Sequence, residues 1–521
     1  MGEYDIILIG AGHNGLTCAG YLLKAGLSVL LLERRHIVGG CATTEEEIPE
    51  APGFKFNPCA FEVILHEKVP MIRDLELTRF GLKFLRLDPV TFSPFPDGSH
   101  LLFWRDVKRT CQEIARLSPN DAEAYPKFLE FWRQMSGLLD PIRLSPPPSL
   151  KDLLNMVDES QVEEMVRVLI LSPKQMLDEW FEDDRVKGPI AWWAAQLNTA
   201  PTDQGTSMFC SHMEMLHRIG VQRPEGGTGM LPNAIANMVT HYGGTIRVNA
   251  EVSRITIEDG RAVGVELASG EKIRAKKAVI SNLDAKRVFE RLVEPSHLEA
   301  SFLKRVRNIR ASGVGAIKVE LALSERPRYE DTCQVGPEAS IPTMYYSPSV
   351  DYLDRCFMDI KRGEVPEGPV YCAYAASVAD PTLAPPGKHG LYIWEPVPYE
   401  LSGGRSWDDV KERAADKLID AVAQFAPNIK NAIIARKVVT PPQEERRTGL
   451  IRGNYVHLDM TFDQLFSFRP LPELSRYRTP IGGLYLTGAG THPGGGVTCA
   501  PGHNTAHEVI EDLGIKANGD D

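Results

Sequence analysis

The feature that most constrains this chain is a glycine turn set between a strand pattern and a helix pattern close to the N-terminus. Tyr4-Asp5-Ile6-Ile7-Leu8-Ile9 is a short apolar run of the kind buried on both faces of a parallel sheet. Gly10-Ala11-Gly12-His13-Asn14-Gly15 follows directly. Residues 16–25 then keep a helical pattern, Gly26 ends it, and residues 27–32 read as a second strand running into Glu33. Gly10 permits the tight turn, Gly12 a close approach of backbone to a pyrophosphate, and Gly15 close packing of helix on strand. The N–H groups at the helix start hold phosphate charge. Glu33 lies 18 residues beyond Gly15, where a carboxylate can accept hydrogen bonds from ribose hydroxyls. The spacing predicts a dinucleotide site built on Gly10, Ala11, Gly12, His13, Asn14, Gly15 and Glu33.

The next residues choose the nucleotide. Arg34-Arg35-His36-Ile37-Val38 leads into the pair Gly39-Gly40, followed by Cys41. Two adjacent glycines there let the chain pass close to a pyrophosphate and a ribityl chain, a feature plain NAD dehydrogenases do not usually carry. FAD is therefore the expected cofactor, with Arg34, Arg35, Gly39, Gly40 and Cys41 added to its contacts. Near the other end, Leu484-Tyr485-Leu486 runs into Thr487-Gly488-Ala489-Gly490-Thr491-His492-Pro493-Gly494-Gly495-Gly496-Val497, and a helical pattern follows Pro501-Gly502. This second strand–turn–helix places backbone N–H groups at the pyrophosphate and the flavin O2 side. Gly488, Ala489, Gly490, His492, Gly495, Gly496 and Val497 are its expected contacts. Between the two elements, strand patterns at 252–257 and 262–267 with turns at Asp259-Gly260 and Ser269-Gly270 predict a small antiparallel sheet.

A chain of 521 residues exceeds one ordinary core, so two domains are expected. The nucleotide elements assign residues 1–70, 224–310 and 475–521 to a discontinuous Rossmann-type FAD-binding domain. Residues 71–223 and 311–474 form an interleaved substrate domain of mixed sheet and helical lid. The class is α/β, α+β over the whole chain. A net charge of −11 without a basic stripe argues against a nucleic-acid partner. The nine cysteines form no C-x-x-C pair and fit neither a zinc site nor a disulfide framework, so no metal is expected and the thiols read as free in a reducing compartment. A cytoplasmic protein is expected, with peripheral membrane contact through apolar surface left open.

The intervening segments hold the substrate. Residues 70–223 are rich in helical patterns, starting with a capping Ser118 before Pro119 and repeating at 150–156 and 162–171. Residues 311–474 alternate strand-like runs at 316–323, 371–377 and 390–394 with a helical run at 407–425. Trp192-Trp193, Met208-Phe209, Met213, Met215, Tyr345-Tyr346 and Trp394 are candidate tunnel walls, with ordinary core as the alternative. Residues 165–171 read as a buried helix face or a membrane contact. A flavin needs from the protein orientation, exclusion of water and one acid or base. The candidates are His212, His217 and Arg218, just before Gly226-Gly227, and Glu395, which follows a strand. No Ser-His-Asp set is apparent, and the 13 histidines are scattered.

The three nucleotide elements, in this order, resemble the phytoene desaturase-like branch of the FAD oxidoreductases, in the amine oxidase superfamily. Many members carry an Arg after the second glycine of the pair, where Cys41 stands here. In that superfamily the position of Val252 supplies backbone contacts to adenine. A narrower likeness, to flavin-type (non-iron) β-carotene ketolases and to relatives described as pyridine-nucleotide-disulfide oxidoreductase domain-containing, is carried by several stretches. They are the first glycine turn, Trp180-Phe181, Asp184-Arg185-Val186-Lys187, Asn454-Tyr455-Val456-His457-Leu458-Asp459-Met460 and Thr487 to the Gly494-Gly495 pair. The resemblance implies hydride transfer from a carotenoid or other apolar isoprenoid to flavin N5. For a ketolase the route would be hydride removal from an allylic carbon, water addition and oxidation to the ketone. The alternatives are an oxidase or dehydrogenase of an amine or other small molecule, and a flavoprotein with a non-catalytic interaction role.

Overall fold

The computed structural model describes residues 3–61, 63, 69–333, 335 and 341–515. Tyr4–Ile9 and Val29–Leu32 pair in parallel, with Thr245–Arg247 outside the second and Lys272–Ser281 beside the first. Leu484–Leu486 pairs in parallel with the last residues of Lys272–Ser281, while the first residues of that long strand pair antiparallel with Arg261–Leu267. The predicted small antiparallel sheet, completed by Val252–Glu258, is therefore continuous with the parallel one. Ile6 and Leu8 face helices His13–Lys24, Met230–His241 and Ala500–Asp512, whereas Ile7 and Ile9 face the small sheet and helix Ala300–Asn308. Burial on both faces is why the first run is apolar without alternation.

A second seven-stranded sheet runs Ile433–Val439, Val314–Leu323, His389–Pro398, Tyr371–Tyr374, Thr343–Tyr346, Thr91–Pro94 and His100–Phe103. Strand alternation divides its side chains. Ile317, Val319, Leu321, Leu391 and Ile393 pack under helix Trp407–Ala423. Ala316, Tyr345, Tyr392 and Trp394 pack toward the helices between Pro119 and Ile219. Four of those helices begin on the sequence signals expected of them. Ser118 accepts from the Asp121 N–H at 3.2 Å and is followed by Pro119, and Ser149 and Ser172 close capping boxes. Helix Asp184–Ala195 begins on Asp183. The segment 70–223, read as helical, also contributes Phe84–Arg86, Thr91–Pro94, His100–Phe103 and Gln222–Pro224 as strands. These are three or four residues long, too short to show a period. In helix Val162–Ile170, Met165, Val168 and Leu169 turn inward and Ile170 stays exposed. Among the described residues no helix is long and apolar enough to cross a membrane.

The C-terminal glycine loop is held by one buried cation. Arg469 is fully buried and donates to the carbonyls of Ala489, Thr491, Asp459, Gln464, Val456 and Leu458. Burial lowers its pKa to about 10, still high enough to keep the charge. Arg469→Met would strand these carbonyls in the interior, and each unpaired buried acceptor costs about 1–3 kcal/mol. The expected loss is about 3 kcal/mol or more in denaturant unfolding; an unchanged midpoint would show that the loop is held by other contacts.

Candidate cofactor cleft and substrate cavity

Tyr4–Ile9, Val29–Leu32, Lys272–Ser281 and Leu484–Leu486 all end at one edge of the parallel sheet, and a cleft opens outside those carboxyl ends, where open α/β sheets bind ligands. Gly10 turns at φ +92°, and its N–H donates to Leu32 O at 2.7 Å. A Cβ on Gly15 would stand 2.3 Å from Gly10 O, and one on Gly12 would stand 2.9 Å from Asn282 Nδ2. Only bare backbone lets helix His13–Lys24 start this close to the turn. Gly12 caps that helix without a side chain, which leaves the first-turn N–H groups for a bound anion. Asn14 Oδ1 is buried there with no partner. Glu33 is buried, and its carboxylate accepts from Ala11 N and Arg35 N, both at 2.9 Å. Gly39 N donates to Ala11 O at 2.8 Å, clamping the Gly39-Gly40 pair onto the first turn.

Of the expected cofactor residues, Gly10, Gly12, His13, Asn14, Glu33, Arg34, Arg35, Gly39, Gly40, Cys41, Val252 and Ala489 line this cleft. Arg34 and Arg35 do so with their guanidinium groups engaged elsewhere. Arg35 forks onto Glu45 at 2.9 Å and Arg34 donates to the carbonyls of Arg446 and Arg447. Ala11 and Gly15 stand behind the wall as packing positions. Gly488 and Gly490 also stand behind it, a Cβ on the first meeting Asn282 Oδ1 at 2.6 Å and one on the second meeting Asp284 at 3.4 Å. Asn282, Asp284, Arg287 and His457 join the lining unforeseen. Asn282 was legible in principle, since it directly follows the apolar run Ala278-Val279-Ile280 and Ser281, the end of strand Lys272–Ser281.

The cleft joins a second cavity at His13, Cys41, His457 and Ala489. Gly494, Gly495, Gly496 and Val497 form one wall; Phe61, Trp193, Leu197, Ile219, Tyr392 and Trp394 supply much of the rest. None of its described lining residues is an Asp or Glu. The cation among them, Lys318, is neutralised from behind by Glu444 at 2.9 Å, and Glu444 also takes Arg447 at 3.0 Å. Lys318 and Glu320 interrupt the apolar run 316–323 two residues apart, a signal of one polar patch on a buried strand that was readable from the sequence. Burial lowers the pKa of His13 and His212 to about 4 and that of His457 to about 3, so the imidazoles on these walls are neutral near pH 7. His492 is likewise held near 4; its Nε2 lies 2.8 Å from Ile142 O, and it faces a small side chamber reached past Leu197, His212 and Gly495.

The four acid–base candidates separate. His212 lines the cavity, with Nδ1 3.2 Å from Trp193 O. His217 is tied between Tyr125 and the Arg105 carbonyl, and Arg218 is paired with Glu214 and Asp140. Neither lines the cavity. Glu395 follows Trp394 on the strand and so points to the opposite face, where burial holds its carboxyl well above the usual range. Of the aromatic and Met candidates, Trp193, Met215 and Trp394 line the cavity, and Met208 and Phe209 line the side chamber. Trp192, Met213, Tyr345 and Tyr346 are core.

Comparison with known proteins agrees with this architecture. A rat protein, pyridine nucleotide-disulfide oxidoreductase domain-containing protein 2, is 34% identical, with 98% of this chain and 94% of the relative covered. One component of the limonene dehydrogenase of Castellaniella defragrans is 28% identical over 98% and 95%, and the lycopene-forming phytoene desaturase of Pseudescherichia vulneris 27% over 97% and 99%. Among solved structures, putrescine oxidase bound to putrescine superposes with a TM-score of 0.64 at 15% identity, covering 99% of both chains, a likeness of fold. Residues 15–502 match the family of flavin containing amine oxidoreductases. The chain belongs to that family: it is an FAD-dependent oxidoreductase of the amine oxidase and phytoene desaturase group.

Proposed function

We propose that this enzyme oxidises a neutral, apolar isoprenoid-type molecule, of the carotenoid or terpene class, in the cavity that opens onto the Gly494–Val497 wall. The observation that carries this reading is the cavity's chemistry: aromatic and aliphatic walls, neutral imidazoles, and no carboxylate among the described lining residues. A protonated amine would meet Lys318 there and find no counter-ion, which costs binding in a site shielded from water. The names of the limonene dehydrogenase and phytoene desaturase relatives point to the same substrate chemistry.

In this reading residues 1–70, 224–310 and 475–521 hold FAD, and residues 71–223 and 311–474 hold the substrate. The first-turn N–H groups behind Gly12, His13 and Asn14 receive the pyrophosphate, Glu33 the ribose, and the backbone at Val252 the adenine. Ala489 and Gly495 to Val497 bound the isoalloxazine side. Asn14 Oδ1 is a buried acceptor without a partner, placed for a hydroxyl or N–H donor of the cofactor. When bound, FAD supplies the hydride acceptor at N5. The chain's own residues orient the substrate and keep water out: Tyr392 and Trp394 from the sheet, Trp193 from helix Asp184–Ala195 and Leu197 from the turn that follows it. His212, neutral and facing the cavity, is placed to take or give a proton.

Three outcomes test this. Lipid extracts from an isoprenoid-producing host should contain a new oxidised product with the wild type and none with Gly15→Ala; unchanged isoprenoids with the flavin-loaded wild type would overturn the substrate class. Gly15→Ala itself, which drives a Cβ into Gly10 O, should purify with little flavin, read as visible absorbance relative to protein; full flavin content would contradict the assigned pyrophosphate site. The third concerns pH. The buried histidines titrate lower in the folded than in the unfolded chain, so between the ordinary value of 6.5 and about 4 the unfolded chain binds more protons. Stability contributed by their neutrality is complete above pH 6.5 and is lost as pH falls through that window, with a limiting slope of about 1.4 kcal/mol per pH unit for each histidine. Denaturation midpoints measured across the window should show His212→Gln with a shallower slope than wild type; parallel curves would mean His212 is not held neutral.

A further inference from the structure

Two cysteines meet where the cofactor cleft joins the apolar cavity. Cys41 lines both spaces and Cys59 lines the second, each partly exposed. Ala60 N donates to Cys41 O at 3.1 Å, which seats the segment carrying Cys59 against the Gly39-Gly40 turn. Lys318 lines the same cavity, and its ammonium donates to the carbonyl of Pro58, next to Cys59, at 2.9 Å. We propose that Cys41 and Cys59 are a redox-active dithiol that reacts with small disulfides at the cavity wall.

The environment divides the roles. The neighbouring Cys41 thiol and the Lys318 ammonium hold the Cys59 thiol below its ordinary range, while Cys59 and burial push Cys41 well above. Burial alone raises Cys18 and Cys210, and burial with nearby carboxylates raises Cys356; none of the three lines these cavities. Cys59 is thus the attacking sulfur and Cys41 the resolving one. The Cys59 thiolate attacks one sulfur of R–S–S–R, the S–S bond breaks, and R–S⁻ leaves and takes up a proton. Cys41 then loses its proton and attacks Cys59 Sγ, forming the Cys41–Cys59 disulfide and expelling the second R–S⁻. Two electrons pass from the dithiol to the small disulfide, giving two R–SH. The site stands whatever the substrate in the neighbouring cavity.

The flavin-loaded protein should be treated with bis(2-hydroxyethyl) disulfide, alkylated, and mapped by mass spectrometry without reduction. Wild type should yield a linked pair of peptides carrying Cys41 and Cys59, lost on treatment with dithiothreitol. Cys41→Ser should stop at a mixed disulfide on Cys59, and Lys318→Met should slow adduct formation roughly tenfold, the effect of one pKa unit on thiolate fraction. Far-UV circular dichroism reports that each variant is folded. Cys59 reacting no faster than the partly exposed Cys111, or a wild-type adduct that rests on Cys59 with Cys41 still free, would overturn the proposal.

Discussion

One close approach organises the molecule. The side chain of Asn282, at the end of a central strand, touches the positions where side chains on Gly10, Gly12, Gly15 and Gly488 would stand, at 3.5, 2.9, 3.0 and 2.6 Å, and its Nδ2 donates to Gly10 O at 3.2 Å. Three segments separated by hundreds of residues are thereby pressed together with only the Asn282 side chain between them. The four glycines leave room for the Asn282 side chain, and the rest of the site is placed relative to that contact. Arg469 fixes the C-terminal loop from behind, and Glu33 ties the first turn to the second strand.

The second consequence is electrical. The substrate cavity, unlike the cofactor cleft beside it, is built from aromatic and aliphatic walls and neutral imidazoles, and Lys318, the cation facing it, is compensated from behind. Removing charge from the walls favours a substrate that itself carries none, because an uncompensated ion in such a space would lose its hydration without replacement. The fold is shared with amine oxidases, but fold and substrate are separable, and the wall chemistry carries the distinction.

Much of this was legible in the sequence because it is local. The glycine turn, the carboxylate at Glu33 and the C-terminal glycine run each sit next to a strand whose apolar pattern is unmistakable, and the hairpin at Asp259-Gly260 announces itself by residue type. What escaped was long-range or too short to repeat. Thr91–Pro94 and His100–Phe103 offer four residues each. The Arg469 staple is a single Arg in a loop, and its six carbonyl partners carry no sequence signal. Cys41, Cys59, Lys318 and Glu444 come from four distant segments. Strand alternation would have excluded Glu395 once Trp394 was placed on the cavity side, but that needed the face of the sheet to be known. His217 and Arg218 share a helix with His212, and only the packing of that helix shows which residue faces inward.

The central claim, that an apolar cavity delivers a neutral isoprenoid to bound FAD, is tested most directly by mixing the flavin-loaded enzyme anaerobically with candidate substrates and following visible flavin absorbance. Bleaching by an isoprenoid hydrocarbon presented in detergent micelles, with none by a primary amine, is the predicted result. Bleaching by the amine, with none by the hydrocarbon, would contradict the account.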